Sequence, residues 1–176
     1  MRSRALILLF LLLPSAHAAT TEWLDVPFVR QVRAGCGAAA IAMVIQYWAR
    51  FQPSLAGAAA DTERIDRMLP ASAKGIQGQA LKRYLEANGF DAFVFRGERS
   101  DLVDQFAKGR PLVVCLGYKG ASGWLHYAVV VGIDREAVWL NDSARGKLIR
   151  EGLDRFETAW KQTDYWSLLA VPRQAR

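Results

Sequence analysis

At 176 residues, with 52% hydrophobic and 23% charged side chains, the chain holds enough material for one domain with a sizeable core. Its net charge of +6 is scattered rather than gathered in a run, which excludes the basic footprint of a nucleic-acid-binding protein. Two cysteines and two histidines exclude both a disulfide framework and a zinc ligand set.

Residues 1–18 read as an export signal. Arg2 and Arg4 form a basic start, residues 5–13 an unbroken apolar run that Pro14 interrupts, and Ala16-His17-Ala18 a small-x-small cleavage pattern. The run is too short for a permanent bilayer span, and no cysteine follows it to carry a lipid. The expectation is a periplasmic or secreted protein, one domain over residues 19–176, with no stable membrane span after signal cleavage. An uncleaved N-terminal anchor is the alternative. Cleavage removes two arginines and brings the charge to +4; it also removes His17 and leaves His126 as the sole imidazole.

Residues 25–30 alternate apolar and polar side chains, which predicts a short strand or extended lead-in with Pro27 at an edge. Residues 37–49 are apolar all round and predict a buried helix. A loop over 51–60 precedes an amphipathic helix over 61–69, acidic in its first turn and stopped by Pro70. After a turn at 75–78, helical spacing runs over 79–88 and ends at Asn88-Gly89. Residues 91–95 predict a strand, and 100–108 a surface helix capped by Ser100 and closed by Gly109. Strands are then predicted at 112–116, 126–133, 137–140 and 147–150, with a glycine-rich loop at 117–123 and a turn at 143–146. A helix over 153–160 and a strand over 165–171 finish the chain. Helices first and an antiparallel sheet second give an α+β layout whose two halves can form a cleft, and no linker divides it.

The chemistry-bearing stretch is Gln31-Val-Arg-Ala-Gly-Cys36-Gly37, which opens the buried helix. A thiol at a helix N-terminus meets unpaired N–H groups and the positive end of the helix dipole, which favours the nucleophilic thiolate. Competing readings are a small buried hydrophobe and a Cys36–Cys115 disulfide, since Cys115 sits in the apolar strand at 112–116 of an exported chain. His126, at a loop–strand junction, is a candidate general base. If the chain around Asp134-Arg135 makes a hairpin, Asp142 falls near His126 and can accept the imidazole Nδ1–H. Asn-Asp-Ser at 141–143 can equally make a plain turn, and alternation sends Asn141 to the opposite face. Gln31, across a glycine-containing turn from Cys36, can offer its amide beside the Cys36 N–H as an oxyanion donor, or be an exposed loop residue.

As a set, Asp25-Val-Pro-Phe-Val-x-Gln-x-x-x-x-Cys-Gly-x-Ala-Ala-Ile-Ala-Met-Val, His126-Tyr-Ala-Val-Val-x-Gly-Ile-Asp and Leu-Asn-Asp resemble the double-glycine, bacteriocin-processing cysteine peptidases. These are papain-like domains, known at the N-terminus of peptide-exporting ABC transporters. The likeness runs over roughly residues 25–166. It implies a papain-like fold with a helical half packed on an antiparallel sheet, Cys36 as nucleophile, His126 as base, Asp142 as orienting acid and Gln31 as oxyanion donor. It implies no cofactor, a peptide or protein substrate cut after small residues or Gly-Gly, and a partner in an export system. This chain has Ala38 where the family usually has proline. Export would also separate it from the cytoplasmic leaders that transporter-linked members cut. A silent peptide-binding relative assisting secretion or assembly, and an amide transferase with the same Cys–His–Asp logic, stand as alternatives.

Overall fold

The computed structural model describes residues 23–69, 75–118 and 124–174. The predicted signal at 1–18, the stop at Pro70 and residues 119–123 of the loop predicted at 117–123 lie outside them.

Helix α1, Cys36–Ala49, buries every residue except Gln46, Trp48 and Ala49. Its run of alanines presents little side-chain bulk, so neighbouring elements approach it closely on all sides. The few polar atoms are used: Gln46 Nε2 donates to the Ala60 carbonyl at 3.1 Å, Tyr47 Oη to that of Gly109 at 2.8 Å, and Trp48 Nε1 to that of Ala170 at 3.0 Å. Two short 3-10 helices at Pro53–Leu55 and Ala58–Ala60 fill the predicted loop. Helix α2, Thr62–Met68, is capped by Asp61, whose carboxylate accepts the Arg64 N–H. Helix α3, Gly78–Ala87, ends as predicted at Asn88, with Gly89 at φ +90°.

Strand β1, Phe90–Arg96, follows, then α4, Arg99–Ala107. The cap of α4 is Glu98 rather than Ser100: the Asp101 carboxylate reaches back to the Glu98 N–H at 2.7 Å and starts the helix earlier than a lone serine would. The remaining elements are β2 Leu112–Tyr118, β3 Trp124–Ile133, β4 Ala137–Asp142, β5 Gly146–Gly152, α5 Leu153–Lys161 and β6 Trp166–Pro172. All six strands form one sheet in the order β1-β6-β2-β3-β4-β5, every pair antiparallel. The sheet therefore borrows an edge strand, β1, from the half predicted to be helical.

Strand β2 is buried on both faces, as its continuous apolar run predicts. Val113 and Cys115 join Tyr127, Val129 and Val131 of β3 against α1. Val114 and Leu116 join Ala128 and Val130 against Leu102 of α4 and Phe156 and Trp160 of α5. The N-terminal helices thus cover one face and α4 and α5 the other. Residues 25–30 form no strand and carry no regular secondary structure. Leu24 N–H donates to the Val131 carbonyl at 2.7 Å and Gln31 N–H to that of Ser143 at 3.1 Å, and between them Pro27 has no N–H to continue a ladder.

Candidate active site

Cys36 is the first residue of α1. The turn before it carries Arg33 at φ +52° and closes through Gly35 N–H to the Val32 carbonyl at 3.0 Å. A Cβ at Gly35 would lie 2.9 Å from both Asp66 Oδ1 and the Val32 carbonyl oxygen, so only glycine fits. The helix is aimed by this turn into the flank of β3.

The hairpin at Asp134 forms as predicted. Its carboxylate accepts from Glu136 N–H at 2.7 Å and Ala137 N–H at 2.8 Å, and β4 returns along β3 to bring Asp142 to His126. His126 is the third residue of its strand rather than the first. Its Nε2, not the expected Nδ1, meets Asp142 Oδ1 at 2.8 Å. The ring enters the site with its Nε2 edge toward β4, and Cys36 is the other group that acts on it, by hydrogen bonding and by charge. Asp142 is fully buried, and its Oδ1 also accepts the Ala144 and Arg145 N–H groups at 3.0 Å each. One carboxylate oxygen both closes the Asn-Asp-Ser turn and meets the His126 ring. Asn141 points away as alternation requires, its amide donating to the Val26 carbonyl at 3.0 Å and accepting the Leu148 N–H at 3.1 Å.

The electrostatics follow from these contacts. Burial pushes the Cys36 thiol up, but the His126 hydrogen bond, the Tyr127 and Gly37 N–H groups and the imidazolium charge outweigh it and leave the thiol below its usual value. Burial likewise opposes protonation of His126. Asp142 and Cys36, by hydrogen bond and by charge, overcome that and raise the imidazole to about 9. Asp142 is held below the usual carboxylate range: its desolvation is outweighed by the His126 bond and the backbone N–H groups. The three groups can hold the alternation thiolate, imidazolium, carboxylate.

Gln31 stands beside this row without entering it. Its Oε1 accepts from Ser143 Oγ at 2.9 Å, and its Nε2 donates to the Arg33 carbonyl at 2.8 Å. Ser143, not singled out from the sequence, thus links the Asp142 turn to the loop before the nucleophile; only its place next to Asp142 hinted at it. Tyr127 also went unnoticed. Its N–H serves the Cys36 sulfur and its hydroxyl donates to the Ile76 carbonyl at 3.1 Å. Both cysteines are free thiols, so no Cys36–Cys115 bridge exists here.

Cys36 opens into a cleft of about 410 Å³ walled by Ile76, Gln77, Gly78, Leu125 and Trp166. Gly78 sets one wall, because a Cβ there would come within 2.4 Å of the Trp166 ring. A larger hollow of about 760 Å³, between Trp48, Phe51, Arg110 and Arg173, contains none of these groups. Among the described residues, no three of His, Cys, Asp and Glu are gathered to hold a metal ion, and no helix is long and apolar enough to cross a membrane.

The Peptidase_C39 like family matches residues 23–168. The chain belongs to this family. The lactococcin-G-processing and transport ATP-binding protein LagD of Lactococcus lactis subsp. lactis is 26% identical over 125 residues, covering 71% of this chain but 16% of LagD. The chain therefore spans about a sixth of that curated relative's length. A C39-like peptidase from Bacillus anthracis superposes with a TM-score of 0.67 at 19% identity, over 88% of this chain and 98% of its own. The double glycine motif protease of an AMS/PCAT transporter, solved in complex with the leader peptide, gives 0.64 at 21% identity, over 87% and 96%. The fold is that of the papain-like C39 peptidase domains.

Proposed function

We propose that this chain is a cysteine peptidase working through Cys36, His126 and Asp142. The observation that carries the reading is the row itself: an imidazole whose Nε2 is 2.8 Å from a buried carboxylate, acting on a thiol at a helix N-terminus in the wall of a cleft. Cys36 Sγ attacks a peptide carbonyl carbon, and the oxyanion gathers hydrogen bonds from the Cys36 N–H and the second hydrogen of Gln31 Nε2. His126 gives its proton to the leaving amine, which departs and leaves a thioester. It then takes a proton from water, whose oxygen attacks the thioester and frees Cys36. Asp142 holds the ring toward the sulfur. The chain's own side chains supply every proton transfer.

In this reading the substrate is a peptide or protein, cut after small residues or Gly-Gly as in the double glycine relative, and the enzyme acts outside the cytoplasm after cleavage of the signal at residues 1–18. A complete nucleophile–base–acid set favours an enzyme over a silent peptide-binding relative. The test is hydrolysis of a synthetic peptide library, including Gly-Gly-containing sequences, by the wild-type protein and by Cys36→Ala, read by mass spectrometry. Cleavage by wild type alone supports the reading, and equal cleavage by Cys36→Ala overturns it. Products joined to an added amine rather than to water would assign amide transfer instead.

A further inference from the structure

Behind the Asp142 carboxylate lies a second set of charges, gathered on one buried acid, that the peptidase mechanism does not use. Glu151 of β5 is only 3% exposed. Its Oε2 accepts from Arg145 Nη1 at 2.7 Å, and its Oε1 pairs with Arg155 Nε at 2.6 Å. Arg145 Nη1 lies 3.8 Å from Asp142 Oδ2, beyond a hydrogen bond. That oxygen is buried and has no hydrogen-bond partner among the described residues. Cys36, His126, Asp142, Arg145, Glu151 and Arg155 thus form a continuous row of alternating charge from the cleft to the surface, where Arg155 is 72% exposed.

A guanidinium this close to an unpartnered carboxylate oxygen would ordinarily close on it, because charge-assisted contacts are strongest in a buried setting. Here Glu151 holds it on the other side. We propose that Arg145 and Glu151 are positioning residues that set how much of the Asp142 charge reaches His126, with Glu151 holding Arg145 off Asp142 so that the carboxylate is left to the imidazole. The inference rests on the peptidase reading only for its catalytic consequence. The charge row itself is measurable without turnover.

The groups facing Asp142 are His126 from β3, Arg145 from its own turn, Tyr118 from β2 and Glu151 from β5, with Cys36 of α1 behind the ring. Tyr118 stays neutral there, since burial and the neighbouring acids push its phenol up. The signs then follow. In Glu151→Gln, Arg145 loses its restraint and moves onto Asp142 Oδ2, and the imidazole loses part of its counter-charge. In Arg145→Gln, the cation beside Asp142 is gone and the Glu151 charge is less neutralised, so the imidazolium is favoured.

The experiment is an NMR titration of the His126 imidazole Cε1–H signal in wild type, Glu151→Gln, Arg145→Gln and Arg145→Lys, with wild type as the reference. The expected result is a His126 pKa lowered by about half a unit or more in Glu151→Gln and raised by about as much in Arg145→Gln. Arg145→Lys keeps the cation and should lie between wild type and Arg145→Gln. If Arg145→Gln does not fold, the near-isosteric Glu151→Gln still carries the test. Shifts of the same sign in both variants, or shifts under about 0.2 units, overturn the inference. In an active preparation, the alkaline limb of kcat/KM should move with the titration. Opposite shifts in a preparation without peptidase activity would uphold the charge row and sink the peptidase reading instead.

Discussion

The two cysteines line the same cleft and are buried almost equally, Cys36 at 8% and Cys115 at 5% exposure, yet burial decides the fate of only one. At the head of α1, the His126 hydrogen bond, two backbone N–H groups and a positive charge reverse the desolvation penalty, and the thiol falls below its usual value. In the middle of β2, burial acts with little against it. The Cys36 charge adds to it, the single His126 N–H opposes it weakly, and the thiol is pushed up to about 12. The same side chain is favoured as a thiolate in one place and held as a neutral thiol in the other. What differs is the supply of donors: Cys36 meets the His126 ring, the Tyr127 N–H of β3 and the Gly37 N–H at the start of its own helix, whereas Cys115 has the His126 N–H alone.

The most severe way to break this contrast is Cys36→Ala, which should reduce peptide hydrolysis by roughly 10⁴-fold or more while circular dichroism stays unchanged. Iodoacetamide at pH 7 sharpens it without a mutation. One equivalent should react quickly at Cys36, and Cys115 should label only after denaturation, as read by peptide mass mapping. Labelling of both thiols at similar rates in the folded protein would remove the distinction.

Asp142→Asn should be next, lowering kcat roughly 10²- to 10⁴-fold, because the amide cannot support the imidazolium. It should also slow iodoacetamide, since Cys36 loses the charged partner that separates it from Cys115. The pH dependence has a definite sign. His126 is raised from about 6.5 in an unfolded chain to about 9. Its stabilising contribution is therefore fully present below pH 6.5 and lost as the pH rises through 9, and the thiolate–imidazolium pair is lost with it. Wild-type kcat/KM should fall above pH 9, and Asp142→Asn should move that limb to lower pH. A pH–rate profile of the two proteins checks both.

Helix α1 was legible in the sequence because an all-round apolar run has no choice but burial, and Cys36 because its glycine neighbours mark the turn that must precede such a helix. The meeting of His126 and Asp142 was legible because Asp134 closes the hairpin and the strand period does the rest. Which imidazole nitrogen faces Asp142 was not, because that depends on how the ring leaves β3, and residue spacing carries no information on it. The pairing of β1 with β6 joins residues far apart in the chain and has no local signature. The same holds for Ser143 on Gln31, a contact 112 residues long, and for the Arg145–Glu151 pair, which reads from the sequence as two ordinary surface charges.

Gln31→Ala separates thiol activation from oxyanion binding. The amide touches neither Cys36's charge partner nor Asp142, so the iodoacetamide rate at Cys36 should hold while kcat falls roughly 10²-fold. A parallel loss of labelling would place Gln31 in the activation of the thiol instead of in the transition state.

Ser143→Ala should give the smallest effect and the most informative one. The hydroxyl donates to Gln31 Oε1 at 2.9 Å, but the main chain keeps its own link, Gln31 N–H to the Ser143 carbonyl at 3.1 Å. Removing the hydroxyl therefore frees the amide to rotate without releasing the loop. An amide donor that spends part of its time turned away costs transition-state binding and little ground-state binding, so kcat should fall about 3- to 10-fold with KM nearly constant. Asp142 keeps its His126 and backbone partners, so the alkaline limb and the thiol labelling should not move. In a Gln31→Ala background the Ser143→Ala change should cost nothing further, since there is no amide left to orient. Steady-state kinetics of the two single variants and the double variant decide it: additive losses would show that Ser143 acts on the Asp142 turn rather than on Gln31.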